Sequence, residues 1–548
     1  MHKLAVLTAA LVTLLTVVVS ASATPGSNNS TPSHRNVVSV QAKGVKLCVG
    51  SGHGCFTTLQ AAVDAAHDGD TVTVAPGTFA GGITINTSIR LVGSGADATI
   101  IEGGGPVLTI GVPDAPSEPT VTIDGVTVTG GVTVGNLSPS NGRGGGIYVP
   151  RAAGPSTGAT VTIRNSVIRD NSVAPASATD SGIPCPGGSD CRFAGAGGGG
   201  ISNDGTMTLD HTVVSNNRAD AASGLTSDAI GGGILNRAFG NLTLKHSTVT
   251  DNHANVTAPN GRFAEGGGIA MVGGTLEIDD SVISNNTVDV STSFPSDVET
   301  WANSGGIHSQ ASVSATIRNT TISGNTATAG NLLGDAIASC GGLCVDGSLA
   351  LRDSTISDNV VRATTASATG NALVDAGALG LGCCWEEPTT VTVTNTRFTG
   401  NSVSSTARGG LAFAAGGAID MANRPPPSFR DSVISSNRAN ATSTTGSALI
   451  LGVGITNFGG SLELRNTRVS DNSGTASAPD GAVEGGGIWN GGFDSTPELI
   501  LFDSVIARNT LSAGPGIERR GGGLFTTAPV VLKNSLIAEN SPDQCYGC

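Results

Sequence analysis

Short runs that alternate apolar and polar residues recur along the chain, and glycine, asparagine or aspartate bounds each of them. Residues 242–244 (Leu-Thr-Leu) and 462–464 (Leu-Glu-Leu) are examples. Alternation with a period of two is typical of a strand with one buried face. In the repeated part of the chain no run has the length of an ordinary helix. The pattern therefore predicts many short strands separated by tight turns.

These strands belong to a repeat that ends in an asparagine. A segment of the form polar, Ser or Thr, any residue, apolar, any two residues, Asn occurs eleven times, and successive copies lie 31 to 46 residues apart. A glycine cluster followed by an apolar residue, as in residues 231–234, precedes many copies. The final asparagines are Asn171, Asn217, Asn252, Asn286, Asn325, Asn359, Asn401, Asn437, Asn472, Asn509 and Asn540.

Three strand-sized pieces in each repeat cannot bury their own apolar faces, so each copy must stack on the next one. The sequence therefore predicts an all-β fold, a three-sided parallel β-helix with Ile, Val and Leu inside and glycine at the tight turns. We expect length variation to collect in one polar loop after each asparagine. Residues 475–483 are an example, because they show no apolar periodicity.

The asparagine row is interpreted as a structural ladder, since stacked amides at a strand spacing of about 4.8 Å bond to one another. The position six residues earlier alternates between Asp and Asn from Asp280 to Asn534. The same position holds His211 and His246 in the two copies before Asp280. These three residues are a weak candidate metal site, and a hydrogen-bonded ladder is the alternative.

Composition supports a repeat protein and excludes several other classes. Glycine accounts for 80 of 548 residues, charged residues for 13% and aromatic residues for 3%, which excludes a core of large side chains. Glycine at irregular spacing excludes collagen. The net charge of -14, without a basic run, argues against nucleic acid as a partner.

Residues 1–23 have the form of a signal peptide. A short charged start is followed by an apolar stretch and by Ala21-Ser22-Ala23, which matches an A-x-A cleavage site. No later segment is apolar enough to cross a bilayer. We therefore expect a secreted, monomeric protein without a transmembrane segment, in which residues 24–47 form a flexible N-terminal segment.

An even number of cysteines in an exported chain indicates disulfides rather than metal ligands. Several are close in sequence, and the C-x-x-C at the end is interpreted as a terminal staple. Cys383 and Cys384 are strained partners for each other, so either could instead pair with Cys340 or Cys344. The candidates are Cys48, Cys55, Cys185, Cys191, Cys340, Cys344, Cys383, Cys384, Cys545 and Cys548.

The region before the repeats predicts one short helix. Leu59, Ala62, Val63 and Ala66 form an apolar stripe after Thr58, and we expect this helix to cover the open apolar end of the solenoid. Residues 48–140 are assigned to this cap and the first coils. Residues 141–548 are assigned to the repeats and the cysteine staple.

Residues 56–66 (FTTLQAAVDAA), 68–72 (DGDTV) and 75–79 (APGTF) resemble the N-terminal cap and first coil of the pectin-lyase-like right-handed β-helix superfamily. The glycine clusters and Asn-ended copies are similar to the repeats of chlamydial polymorphic outer-membrane proteins and of many secreted bacterial β-helix proteins. The resemblance implies a right-handed β-helix over nearly all of the exported chain. It implies no single activity, because lyases, hydrolases, esterases, epimerases and adhesins share that fold.

Residues 382–427 break the repeat most clearly, and they hold the candidate ligand-binding residues. A tryptophan beside carboxylates is typical of a face that binds or cleaves sugars, and an irregular loop held by cysteines is the alternative. The patch consists of Trp385, Glu386, Glu387, Asp420 and Arg424.

No catalytic block is recognisable in the sequence, and no cofactor is predicted. The leading hypothesis is a cell-surface or extracellular interaction module, adhesin-like and directed at polysaccharide or another cell. The alternatives are a polysaccharide lyase or glycoside hydrolase and a structural envelope component.

Overall fold

A computed structural model describes residues 44–135, 144–153, 158–175, 193–222, 226–257, 262–291, 299–382, 390–422, 427–492 and 498–548. These residues form an all-β parallel solenoid, in which each strand pairs with the equivalent strands of the neighbouring coils. One complete coil passes through five sheets in the order 1 to 5. In the coil that begins at residue 206 these strands are Thr206–Asp210, Val213–Ser215, Arg218–Ala221, Thr226–Ile230 and Ile234–Asn236. Ten coils contain all five strands among the described residues.

Sheet 1 contains the strands Lys46–Val49, Thr71–Val74, Arg90–Val92, Thr120–Asp124, Thr160–Arg164, Thr206–Asp210, Asn241–Lys245, Thr275–Asp279, Ser314–Arg318, Ser348–Arg352, Val391–Thr394, Ser428–Arg430, Leu462–Arg465, Leu499–Phe502 and Val530–Lys533. Sheet 2 contains Gly77–Ala80, Thr99–Glu102, Thr127–Thr129, Val167–Arg169, Val213–Ser215, Thr248–Thr250, Val282–Ser284, Thr321–Ser323, Thr355–Ser357, Arg397–Thr399, Val433–Ser435, Arg468–Ser470, Val505–Ala507 and Leu536–Ala538.

Sheet 3 contains Val132–Gly135, Ser172–Pro175, Arg218–Ala221, His253–Val256, Thr287–Ser291, Thr326–Asn331, Val360–Thr365, Ser402–Ala407, Arg438–Ser443, Ser473–Ser477 and Thr510–Ala513. Sheet 4 contains Phe193–Gly197, Thr226–Ile230, Phe263–Glu265, Thr300–Asn303, Ala336–Ser339, Ala372–Asp375, Ala412–Ala415, Ser447–Leu451, Asp480–Glu484 and Ile517–Arg520. Sheet 5 contains Ile83–Ile85, Leu108–Ile110, Ile147–Val149, Ile201–Asn203, Ile234–Asn236, Ile269–Met271, Ile307–Ser309, Leu343–Val345, Leu379–Leu381, Ile419–Ala422, Ile455–Phe458, Ile488–Gly491, Leu524–Thr526 and Cys545–Tyr546.

The five sheets enclose two separate cores. Sheets 1, 2 and 5 surround the larger core, to which Leu209, Val214 and Ile234 contribute in one coil. Sheets 3 and 4 pack on each other through a second core made mostly of alanine, such as Ala219 and Ala229. Small side chains suit this second core, because they fill only the narrow space between two closely packed sheets.

The expectation that residues 475–483 form a polar loop without apolar periodicity is wrong. Residues 475–483 contribute to two strands, Ser473–Ser477 of sheet 3 and Asp480–Glu484 of sheet 4. Buried and more exposed positions alternate along the first of these strands, and the buried positions hold Gly474 and Ala476. The strand therefore has a buried face, but Ala and Gly form it, and these residues differ little in hydropathy from the Ser and Thr between them. A complete coil therefore contains five strands instead of three.

Left-handed backbone conformations mark the bends of each coil. His211, His246 and Asp280 have φ of 51°, 48° and 48° at the bend between sheets 1 and 2. Asn, Asp and His tolerate this conformation better than other side chains do. At the bend between sheets 4 and 5, Gly231 has φ of 67°, and a Cβ on Gly233 would lie 2.9 Å from Cγ of Asn252. The glycine cluster is needed because it leaves space for the asparagine row.

The asparagine row lies at the bend between sheets 2 and 3, and its amides bond from coil to coil. Nδ2 of Asn437 donates to Oδ1 of Asn472 at 2.9 Å and to the carbonyl of Phe398 at 3.1 Å. Oδ1 of Asn437 accepts from the backbone N–H and from Nδ2 of Asn401, both at 3.0 Å. The same side-chain bond links each of the eleven asparagines to the next, at 2.9 to 3.0 Å. These buried amides therefore satisfy one another along the solenoid.

The alternating row of Asp and Asn also bonds between coils. Nδ2 of Asn395 donates to Oδ1 of Asp353 at 2.7 Å, and Nδ2 of Asn466 donates to Oδ1 of Asp431 at 2.6 Å. Each of these carboxylates therefore has an amide donor on the following coil instead of a second carboxylate.

One helix, α1, spans Leu59–Asp64 among the described residues. Oγ1 of Thr58 caps it by accepting from the N–H of Ala61 at 3.3 Å. Leu59, Ala62 and Val63 are buried and belong to the larger core. The apolar stripe in the sequence thus corresponds to the buried face of a real helix.

Among the described residues three cysteine pairs are joined, namely Cys48 with Cys55, Cys340 with Cys344, and Cys545 with Cys548. The alternative in which Cys383 or Cys384 pairs with Cys340 or Cys344 is therefore wrong, because Cys340 and Cys344 are bonded to each other. Cys185, Cys191, Cys383 and Cys384 themselves lie outside the described residues.

Candidate functional site

The bend between sheets 4 and 5, which we call the corner, carries most of the unusual chemistry of the molecule. Two rows of side chains meet there, one from the last residue of each sheet 4 strand and one from the second residue of each sheet 5 strand from Ile147–Val149 onward. The sheet 4 row is Gly197, Ile230, Glu265, Asn303, Ser339, Asp375, Ala415, Leu451, Glu484 and Arg520. The sheet 5 row is Tyr148, Ser202, Leu235, Ala270, His308, Cys344, Gly380, Asp420, Thr456, Trp489, Phe525 and Tyr546.

A pocket of about 580 Å³ lies beside the N-terminal part of the corner, and most of its lining residues belong to the connections between sheets 5 and 1. We call it the corner pocket. Aromatic, cationic and acidic side chains converge on it, together with smaller apolar ones. Its lining is Pro113, Asp114, Tyr148, Arg151, Asp204, Ile230, Leu235, Arg237, Ala238, Phe239, Glu265, Val272 and Gln310. Pockets of this size that combine apolar walls with a few convergent polar groups are typical of small-ligand sites.

Two arginines organise one wall of the corner pocket. Nε of Arg237 lies 3.0 Å from Oδ2 of Asp204, and both side chains are mostly buried. The guanidinium of Arg151 lies 3.9 Å above the ring of Phe239. Burial raises the pKa of Asp204, and the charges of Arg237 and Arg151 oppose that effect. The wall thus contains an aromatic ring packed against the guanidinium of Arg151, and an arginine whose orientation is fixed by its ion pair with Asp204.

A buried imidazole lies between two carboxylates, one of which, Glu265, also lines the corner pocket. Nδ1 of His308 lies 2.6 Å from Oε2 of Glu265, and Nε2 lies 3.8 Å from Oδ2 of Asp346. All three side chains are at most 3% exposed. On sheet 4, burial raises the pKa of Asp228 to about 6, the charge of Glu265 adds to this, and Arg262 opposes it. Asp228 is therefore a group of this region whose pKa lies near the neutral range.

Farther along the corner, Asp375 and Asp420 form a carboxyl pair. Ser339 donates its hydroxyl to Oδ2 of Asp375 at 3.0 Å. Oδ1 of each aspartate is buried and has no hydrogen-bond partner among the described residues. Burial raises the pKa of Asp375 to about 6, although the Ser339 bond opposes it. Burial and then the charge of Asp375 raise the pKa of Asp420 well above its ordinary value.

The C-terminal part of the corner is filled by aromatic rings. Trp489 stacks on Phe525 with ring centroids 6.1 Å apart, and Phe525 stacks on Tyr546 at 5.3 Å. Nε1 of Trp489 donates to Oε2 of Glu484 at 3.1 Å. Burial raises the pKa of Glu484, while the Trp489 bond and Arg520 lower it. The aromatic rings here pack on each other.

The candidate patch taken from the sequence is only partly described. Trp385, Glu386, Glu387 and Arg424 lie outside the described residues. Asp420 lies in the corner row, where Oδ1 is buried beside Asp375.

The structure does bring His211 and His246 together, with ring centroids 4.6 Å apart. It also adds a residue that the sequence interpretation missed, because Oδ1 of Asp210 lies 2.8 Å from Nδ1 of His211.

Sequence reasoning missed the corner pocket altogether. The sequence did hold a pattern that points to the corner, because the second residue of the strand after a glycine cluster is ionisable or aromatic in several copies. Tyr148, His308, Asp420 and Trp489 all occupy this position. They were hard to combine, because they lie tens of residues apart and differ from copy to copy.

No protein-family model matches the chain, and a comparison with curated proteins gives no significant match. Within the described residues, no helix is long and apolar enough to cross a membrane.

Proposed function

We propose that this protein is exported and binds carbohydrate through the corner pocket, acting as an extracellular, adhesin-like interaction module. The observation that carries the proposal is the pocket wall, in which the ring of Phe239 is held beneath Arg151 and beside the pair of Arg237 and Asp204. Aromatic faces contact the C–H faces of sugars, while guanidinium and carboxylate groups bond to hydroxyls. Tyr148 adds a second ring to the lining.

The same proposal assigns the chain to the right-handed, three-sided β-helices of the pectin-lyase-like type. It is supported by the three sheets that surround the larger core. Sheets 3 and 4 then extend each coil between sheets 2 and 5. Helix α1 serves as the N-terminal cap, which agrees with its buried apolar face. Secretion as a monomer after removal of residues 1–23 completes the proposal.

A specific observation favours polysaccharide cleavage as the second candidate. A general acid or base must lie within hydrogen-bond reach of the proton that it transfers. Glu265 both lines the pocket and contacts His308, so it is placed to act on a bound sugar. In this alternative Glu265 is the group that exchanges a proton with the substrate.

The test is a screen of the purified protein against neutral, acidic and amino-sugar polysaccharides, recording binding, new reducing ends and ultraviolet absorbance from new double bonds. Binding without products supports the interaction module. Products that disappear in Glu265→Gln, while binding is kept, support cleavage. Neither binding nor products would overturn both candidates and favour a structural envelope component.

A matched pair of variants locates the binding site. Phe239→Ala removes a ring beneath a guanidinium in the corner pocket. Phe502→Ala removes a ring 4.0 Å from the guanidinium of Arg465 on sheet 1, outside the pocket lining. We expect at least tenfold weaker glycan binding for Phe239→Ala only, equivalent to about 1.4 kcal/mol. Equal losses in both variants would place the site elsewhere.

A further inference from the structure

A cluster of two imidazoles and a carboxylate lies at the bend between sheets 1 and 2, apart from the corner. Asp210 ends a sheet 1 strand, His211 follows it, and His246 occupies the equivalent position one coil later. The two imidazole rings are stacked with an interplanar angle of 22°. The side chains of His211 and His246 are 60% and 52% exposed, so an ion from solvent has access to them.

The spacing of the ligand atoms suits one small metal ion. Oδ1 of Asp210 lies 2.8 Å from Nδ1 of His211 and 3.4 Å from Nδ1 of His246. One ligand atom from each of the three residues lies within 4.8 Å of the other two. Ligands at about 2.0 to 2.1 Å around a tetrahedral zinc ion are separated from each other by roughly 3.3 Å. Small rotations of exposed side chains are enough to reach that arrangement.

A second carboxylate faces the other ring nitrogen of His246. Oδ2 of Asp280, on the next coil, lies 3.9 Å from Nε2 of His246. Arg164 approaches the other oxygen of Asp210, with Nε 3.9 Å from Oδ2, and leaves Oδ1 to the imidazoles. Lys245 is the strand partner of Asp210 and lies on the same sheet. Two carboxylates thus offset the cationic neighbours of the cluster.

The fold itself does not require histidine at these positions. The same left-handed position holds Asn165, Asn319 and Asn395 in other coils, and Asp280, Asp353 and Asp431 in further ones. Asparagine and aspartate meet the backbone requirement equally well. Two successive imidazoles beside a carboxylate are therefore an addition to the repeat, and imidazole is the ligand that Zn²⁺, Ni²⁺ and Cu²⁺ share.

We propose that Asp210, His211 and His246 bind one divalent transition-metal ion of the zinc, nickel or copper type, and that Asp280 faces the ring nitrogen of His246 that does not bind the ion. This site is independent of the corner pocket, so its presence or absence leaves the glycan proposal unchanged.

The experiment titrates ZnCl₂ into the purified protein, without a histidine tag, in a non-chelating buffer and follows heat release. Co²⁺ absorption then reports the coordination geometry. The variants are His211→Asn and His246→Asn, which keep a side chain that this backbone position already accepts in other coils. We expect one tight equivalent in the wild type and at least tenfold weaker binding in each variant, with unchanged circular dichroism.

His67→Asn is the matched control, because Nδ1 of His67 lies 3.9 Å from a carboxylate oxygen of Asp70 without a second imidazole. We expect this variant to bind as the wild type does. The proposal is overturned if the double variant His211→Asn with His246→Asn binds as tightly as the wild type. It is also overturned if His67→Asn loses affinity to the same extent as the site variants.

Discussion

Two regions of each coil differ in how much they vary along the molecule. At the bend between sheets 2 and 3, successive coils each have an asparagine at the equivalent position, and it makes the four hydrogen bonds described for Asn437. At the corner between sheets 4 and 5 the side chains change from a polar pocket to a carboxyl pair and then to stacked aromatic rings. The repeat therefore fixes the residue at the bend between sheets 2 and 3, whereas the side chains at the corner differ from coil to coil.

The largest effect is expected from breaking the constant region. Asn437→Ala leaves the backbone N–H of Asn401 without this acceptor and removes one bond each from Nδ2 of Asn401, the carbonyl of Phe398 and Oδ1 of Asn472, which keeps the backbone N–H of residue 437. Each unsatisfied buried group costs about 1 to 3 kcal/mol. We expect a loss of about 3 to 5 kcal/mol in the free energy of unfolding, measured by urea denaturation.

Asn440→Ala is the control for that change, since Asn440 is an exposed residue of the same coil. Its loss is expected to stay below about 0.5 kcal/mol. If the two substitutions cost the same, the ladder contributes nothing beyond an ordinary asparagine.

A smaller effect is expected in the variable region, from the carboxyl pair. Asp375 and Asp420 bind a proton more tightly in the folded protein than in the unfolded chain, because burial raises both pKa values. The contribution of Asp375 to stability is therefore fully present below the ordinary pKa of 3.8 and is lost as the pH rises through about 6, and the raised pKa of Asp420 acts in the same direction. We expect the wild type to be less stable at pH 8 than at pH 5, by on the order of 1 to 2 kcal/mol.

Asp420→Asn removes one charge of the pair and should reduce this difference between pH 5 and pH 8, while the share contributed by Asp228 remains. Asp431→Asn is the control, because Asp431 is exposed and its row accepts asparagine in other coils. The measurement is urea unfolding at both pH values and equal ionic strength. An unchanged pH dependence in Asp420→Asn would show that the pair does not share a proton.

The smallest effect is expected where the ladder ends. Oε1 of Gln544 accepts from the backbone N–H and from Nδ2 of Asn540, at 3.0 and 3.1 Å, in place of a further asparagine. Gln544→Ala should cost about 1 kcal/mol, less than a substitution inside the ladder, because water reaches this end. A cost equal to that of Asn437→Ala would mean that the end of the ladder is as critical as its middle.

The difference between these regions also explains what the sequence could predict. The ladder was predictable because the same residue recurs in the same local context, and α1 was predictable because its apolar stripe is local. Sheets 3 and 4 were missed because Ala219, Ala229 and Ala476 provide their alternation, and alanine contrasts weakly with Ser and Thr. The corner pocket was missed because Tyr148, Arg237 and Glu265 come together only through the register of neighbouring coils.

The most direct test of this account measures stability and glycan affinity in the same two variants. Asn437→Ala should unfold at lower urea concentration and keep its affinity for the glycan found in the screen. Phe239→Ala should lose at least tenfold in affinity and keep most of its stability. If Asn437→Ala, folded under the assay conditions, loses affinity as strongly as Phe239→Ala does, the separation between a constant structural bend and a variable functional corner is wrong.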